Sequence, residues 1–219
     1  MPQFTNNFGS GKGITKGLWR LDGNSRDFSG NGNNGTDNNV TYPIVNGRKV
    51  ASFNGSTSVI SMGNVCNISG TAITVSCWCN PSELVDNTGY TMVAKDLPTA
   101  YSTSQYRLMF NNDVGSPLGF MVSGGTPGTT QVVKGSVNLP TNTWYNIIGT
   151  YDGINLKIYV NGKNMATLAA TYAIVGTTQP LLIGQDGGGY FKFKGLIRDV
   201  IIDARAWSAA EVAAYYNNS

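Results

Sequence analysis

The 219-residue chain predicts an all-β protein, two antiparallel sheets packed face to face with one short helix at the C-terminus. Three observations carry this. Short stretches of alternating apolar and polar residues, punctuated by Gly, Asn and Pro, run from Leu18 to Asp203, as half-buried strands joined by tight turns do. No strand pattern alternates with a crossover helix, which argues against a parallel sheet. Apolar residues make up 41% of the chain, enough to fill one sizeable core.

Residues 1–17 are polar and rich in Gly, Asn and Thr, and they are expected to form a flexible N-terminal arm. They lack the basic start, apolar stretch and small-residue cleavage site of a secretory signal. Residues 18–219 are expected to form one domain. Its strands are predicted at 18–22, 50–53, 58–62, 73–80, 90–95, 106–111, 118–123 and 131–134. The clearest unit follows, between Thr143 and Leu168. Residues 144–151 carry large apolar side chains on both faces, as a central strand does. Asp152-Gly153 supplies a turn, and Leu156, Ile158 and Val160 then alternate with Lys157 and Tyr159. Asn161-Gly162 is a strong hairpin signal, because both residues tolerate positive φ. Strands at 180–184 and 195–203 complete the set. Finally, Ser208-Ala209-Ala210-Glu211 reads as a capping box at the head of a helix too short to stand alone. Trp19, Trp78, Trp144 and Trp207 fall in patterned segments and are assigned to the core.

Charge is sparse. Only 12% of residues are charged and the net charge is +3, with no Lys/Arg cluster interleaved with aromatics, so a nucleic-acid footprint is missing. No apolar run approaches the roughly 18 residues of a membrane helix. A neutral surface of Asn, Thr, Ser and Gly suits a virion or extracellular β-protein. Three cysteines are an odd count and do not read as a disulfide framework. Cys77 and Cys79 flank Trp78, so they share one sheet face. Without histidine or a second Cys pair to complete a zinc site, they read as small buried hydrophobes.

Several segments together resemble the laminin-G-like jelly-roll domains of the concanavalin A-like lectin and glucanase superfamily. They are Leu18-Trp19-Arg20-Leu21-Asp22-Gly23-Asn24, Asp27-Phe28-Ser29-Gly30-Asn31-Gly32, Ala51-Ser52-Phe53-Asn54-Gly55-Ser56 and Ile73-Thr74-Val75-Ser76-Cys77-Trp78. The 144–163 meander, Leu182-Ile183-Gly184-Gln185-Asp186, Gly195-Leu196-Ile197-Arg198-Asp199-Val200 and Ala206-Trp207-Ser208 complete the order, across residues 18 to 216. The resemblance implies a concanavalin A-like two-sheet antiparallel jelly-roll sandwich. It does not choose among the lectins, adhesion modules, enzymes and virion parts built on that fold.

Glucanases of the superfamily resemble one another in a Glu-x-Asp-x-x-Glu strand that points carboxylates into one cleft. The motif is absent here. Only two glutamates occur: Glu83 in a loop after Pro81, and Glu211 in the helix cap. Without histidine, the commonest general base is missing. Asp96, Asp113, Asp152 and Asp186 are the aspartates that one rim could gather. No enzyme is expected.

The resemblance also implies one structural Ca2+ held by Asp22, Asn54 and Asp199, which occupy positions similar to those of a cation site in jelly-roll relatives. Asp27–Asn33 reads instead as a polar turn. Gly184-Gln185-Asp186 resembles a pentraxin calcium run, but Ser102, Thr103 and Ser104 stand where its companion acids belong. For sugar binding, the residues that chemistry points to are Tyr101, Asn111, Gln185, Asp186 and Tyr190: loop aromatics to stack on C–H faces, with amides and a carboxylate to take hydroxyls. The Gly187-Gly188-Gly189 run leaves room for close ligand approach or adds flexibility.

The reading is a non-catalytic carbohydrate-binding or adhesion module of a virion or extracellular surface. The alternative is a purely structural virion subunit, and a glycoside hydrolase comes third. Expected partners are glycans, other virion or surface proteins, or further copies of the chain. Neither nucleic acid nor membrane insertion is expected.

Overall fold

Period-two sequences extend, and an extended strand is stable only where a neighbour takes its backbone hydrogen bonds. The computed structural model describes residues 14–85, 88–97, 104–110, 118–135 and 139–219. Its strands begin with β1 Thr15–Trp19, β2 Thr36–Asn38, β3 Ile44–Val45, β4 Arg48–Lys49, β5 Ala51–Asn54 and β6 Val59–Ser61. Then come β7 Ile73–Pro81, β8 Tyr90–Lys95, β9 Tyr106–Phe110, β10 Leu118–Ser123 and β11 Thr130–Gly135. β12 Tyr145–Tyr151, β13 Asn155–Val160, β14 Lys163–Ala169, β15 Leu182–Ile183 and β16 Lys194–Asp203 precede helix α1, Ala209–Asn217.

The first sheet runs β1-β16-β7-β12-β13-β14, with β5 also paired to β16, and the second runs β11-β10-β9-β8-β15-β6-β2. β3 and β4 form a separate hairpin. All of these ladders are antiparallel. The 144–168 meander is present as β12-β13-β14. Its first turn is held by the Asp152 carboxylate, which accepts the N–H groups of Ile154 and Asn155 at 2.9 and 2.7 Å. Its second has Asn161 and Gly162 at φ 49° and 78°. β1 starts at Thr15, so residues 15–17 belong to the sheet and not to an arm. Residues 1–13 lie outside the described ones. The sequence reading missed β2, β3 and β4, which are two or three residues long and largely exposed, so they carry no apolar alternation to read.

One core fills the space between the sheets. Cys77, Cys79, Ile147 and Tyr151 from the first sheet meet Tyr106, Leu108, Phe110, Phe120 and Val122 from the second. The sheets are tightly packed at Gly149, where a Cβ would lie 2.2 Å from Cγ of Phe120. Both strand cysteines are buried on the core side and unbridged. A second, smaller cluster lies outside the first sheet. There Ile148, Tyr159, Trp207, Val212 and Tyr215 pack together as α1 covers β12 and β13. The capping box is formed: Ser208 Oγ accepts the Glu211 N–H, and Glu211 accepts the Ser208 N–H at 2.8 Å.

Two tryptophans depart from expectation. Trp78 points away from Cys77 and Cys79, out of the core, and stacks on Tyr216 of α1. Trp144 precedes β12, is half-buried, and lies against the Arg198 guanidinium. Trp19 is in the core and Trp207 in the helix cluster. Among the described residues, no helix is long and apolar enough to cross a membrane.

Candidate functional site

The second sheet has the core on one side only, so alternate side chains of β8 and β9 face away from it. Arg107 is one of these, between the core residues Tyr106 and Leu108. A charged side chain there needs partners, and two arrive from elsewhere in the chain. Asp96 directly follows β8, and Asp186 follows β15, which pairs with β8 on the side away from β9. Arg107 Nε lies 3.3 Å from Asp96 Oδ2, and Nη1 lies 3.6 Å from Asp186 Oδ2. Both carboxylates are fully buried and the Arg107 side chain is only 10% exposed.

The triad fixes the loop between β15 and β16. Asp186 Oδ1 accepts the N–H groups of Tyr190 and Phe191 at 2.7 and 3.2 Å. Asp96 Oδ1 accepts the Gly187 N–H at 3.4 Å. Phe191 returns its carbonyl to the Thr91 N–H at 3.1 Å and sets its ring 5.4 Å from the Arg107 guanidinium. The glycines answer to packing. A Cβ on Gly187 would fall 1.8 Å from the Asp96 carbonyl oxygen, and Gly189 has φ +70°. The close approach expected of this run is thus made to the backbone after β8. Tyr190 follows directly and is 70% exposed.

Electrostatics bear on Asp96. Burial pushes its carboxyl up to about 6, against the lowering effects of Arg107 and the Gly187 N–H and with the aid of the Asp186 charge. Among the described residues, Asp96 Oδ2, Asp186 Oδ2, and Arg107 Nε and Nη1 have no partner of hydrogen-bond geometry. The ion pair is therefore a matter of charge proximity in a low-dielectric pocket.

Of the expected ligand-binding residues, the structure brings Asp186 and Tyr190 into one loop, with half-buried Gln185 at its start. Tyr101 and Asn111 lie outside the described residues. Asp186 was expected to take sugar hydroxyls; instead it is buried and spends its oxygens on loop N–H groups and Arg107, because a sharp glycine-rich turn leaves N–H donors that need an acceptor. Asp96 and Asp186 do meet, as the rim reading allowed. Asp152 is elsewhere, in the β12–β13 turn, and Asp113 lies outside the described residues. Arg107 was missed, although a charged residue inside Tyr106-Arg107-Leu108-Met109-Phe110 is the signal that could have found it.

Of Asp22, Asn54 and Asp199, the last two have their side-chain oxygens engaged within the protein. Asn54 Oδ1 accepts three backbone N–H groups, those of Ser56, Thr57 and Ser58, at 2.8–3.1 Å. Both Asp199 oxygens are bound by Arg48. Among the described residues, no group of three His, Cys, Asp or Glu side chains is arranged to hold a metal.

A family model described as the concanavalin A-like lectin/glucanases superfamily matches residues 53–213. No curated protein matches the chain. Domain 4 of AbnA, a GH43 extracellular arabinanase from Geobacillus stearothermophilus solved with arabinotriose, superposes with a TM-score of 0.72 at 18% identity. That match covers 92% of this chain and 97% of the domain. The binding domain of Paraclostridial Mosquitocidal Protein 1 gives 0.71 at 18% identity, covering 94% of this chain and 52% of that one. Botulinum neurotoxin type C, whose cell entry depends on two ganglioside molecules, gives 0.66 at 17%, covering 94% and 51%. The chain thus spans about half the length of both toxin structures. At these identities the likeness is one of fold.

Proposed function

The chain belongs to the concanavalin A-like lectin/glucanase superfamily, and from that fold and the loop after β15 we propose that it is a non-catalytic carbohydrate-binding module. The observation that carries the reading is Tyr190: an exposed aromatic ring on a loop tied down at Asp186, Gly187 and Phe191. A sugar offers an apolar C–H face, and a phenol ring held on a rigid scaffold can stack on it while its hydroxyl stays in water. The acids favour binding over turnover. Asp96 and Asp186 are buried against Arg107, Glu83 is paired with Lys194, and Glu211 is used in the helix cap. Glycoside hydrolysis needs two carboxyl groups that reach the scissile bond.

The test is a glycan array, with arabino-oligosaccharides included because a similar domain was solved with arabinotriose, followed by titration of wild type and Tyr190→Ala. Tyr190→Ala should weaken binding roughly tenfold, equivalent to ~1.4 kcal/mol, and leave Tm unchanged because the ring is exposed. Binding of no glycan by the wild type, or equal affinities for the two proteins, would refute the proposal.

A further inference from the structure

Of the three residues expected to hold a cation, Asn54 and Asp199 have side-chain oxygens already engaged, and the group engaging Asp199 is itself a cation. We infer that the Arg48 guanidinium is this domain's built-in substitute for a structural metal ion, so that the fold needs no divalent ion at this position. The inference is independent of the carbohydrate reading.

Arg48 grips Asp199 with both arms of its fork, Nη1 to Oδ2 at 2.9 Å and Nη2 to Oδ1 at 2.6 Å. Nη2 also reaches the Arg20 carbonyl at 3.3 Å. A hard cation would gather the same kinds of groups, carboxylate and backbone carbonyl oxygens. The guanidinium gathers them through directed N–H bonds, in the bidentate geometry that only arginine offers. Burial opposes its charge, but the hydrogen bonds and charge of Asp199, together with the charge of Asp22, outweigh that and raise its pKa. Arg198 also contacts Asp199, and it is held between the Trp78 and Trp144 rings at 4.4 and 5.2 Å.

The backbone here needs such a clip. Leu21 and Asp199 both have left-handed φ, 55° and 50°, and the Asp199 N–H donates to the Arg20 carbonyl at 3.2 Å. Non-glycine residues persist in that region only where their surroundings hold them. Arg48 stands in β4, which forms a ladder with β3 as a two-stranded sheet separate from the two main sheets. Its bonds therefore join three separate parts of the chain: the segment after β1, the β3–β4 hairpin and the closing strand β16.

The test is thermal melting of the whole chain. The wild type should show the same Tm in excess EDTA and in millimolar calcium. Arg48→Met should lower Tm by roughly 4–10 °C for a domain of this size. Arg48→Lys, which keeps a charge but loses the fork, should fall between the two and remains informative if the methionine variant does not fold. A wild-type Tm that drops in EDTA, or an Arg48→Lys protein that melts with the wild type, would overturn the inference.

Discussion

Gly89→Ala probes the seating of the Tyr190 loop without substituting any residue of the loop. Gly89 is buried just ahead of β8, and an added Cβ would lie 2.5 Å from Cδ1 of Phe191 and 3.0 Å from both Cγ and Cε1. Its φ is not left-handed, so alanine meets a steric obstacle and no backbone one. Carbon atoms rest about 3.5–4 Å apart, so the ring must retreat by about 1 Å. Phe191 is bonded through its N–H to Asp186 and through its carbonyl to Thr91, and both bonds must stretch as it moves. Overpacking of this kind costs about 1–3 kcal/mol. Because the strain falls on one surface loop, it should appear as local opening. Amide exchange at Tyr190 and Phe191 should quicken roughly 5- to 140-fold, with β7 and β12 unchanged. Hydrogen exchange read by NMR or mass spectrometry measures this without any ligand, and glycan affinity should fall in parallel. Adding Phe191→Leu, which removes the colliding ring, should recover part of the protection, a coupling that a double-mutant cycle resolves. Unchanged exchange at both amides in Gly89→Ala would show that the loop is not seated on Gly89.

Three further outcomes are expected. Burial raises the Asp96 pKa from 3.8 to about 6, so this residue's contribution to stability is fully present below about pH 4 and is lost as pH rises through 6, a change of about 3 kcal/mol. Asp96→Asn should flatten that slope, gaining on the wild type between pH 4 and 7 in denaturant titrations; parallel profiles would contradict the burial argument. Trp144→Ala should cost only about 1–2 kcal/mol, because the ring is half-buried outside the core, against about 2–5 kcal/mol for Ile147→Ala inside it. Equal losses in urea unfolding would mean the two positions are wrongly assigned. Gly149→Ala should destabilise by about 1–3 kcal/mol by driving a methyl group into Phe120, and a neutral result would place the two sheets further apart than described.

How far the fold was legible depends on how local each signal is. The 143–168 meander was readable because alternation, Asp152-Gly153 and Asn161-Gly162 all act within a few residues, and the helix start was readable because Ser208 and Glu211 are three apart. Trp78 and Trp144 show where such reading stops. Alternation says that Trp78 opposes Cys77 and Cys79, but not which face is the core. α1 adds a second apolar cluster behind β12, so both faces of that layer look buried in sequence. The Arg107 triad was further from reach. Residues 96, 107 and 186 meet only because β15 and β9 flank β8, a neighbour relation that no local pattern encodes.

Asp186 shows why the candidate site was half-legible. A carboxylate beside three glycines and two aromatics suits a sugar hydroxyl and suits the orphaned N–H groups of a tight turn equally well, since both offer donors. Burial separates the two roles: a fully buried carboxylate that accepts two loop N–H groups and faces an arginine has no oxygen left in solvent for a ligand. The binding role then passes from the charged residue to the ring it positions. Tyr190 lies four residues on and owes its fixed presentation to that buried charge. Substitutions at Asp186 should therefore lower affinity by loosening the loop, with a rise in exchange at residues 190 and 191. Loss of affinity without that rise would return Asp186 to direct contact with the ligand.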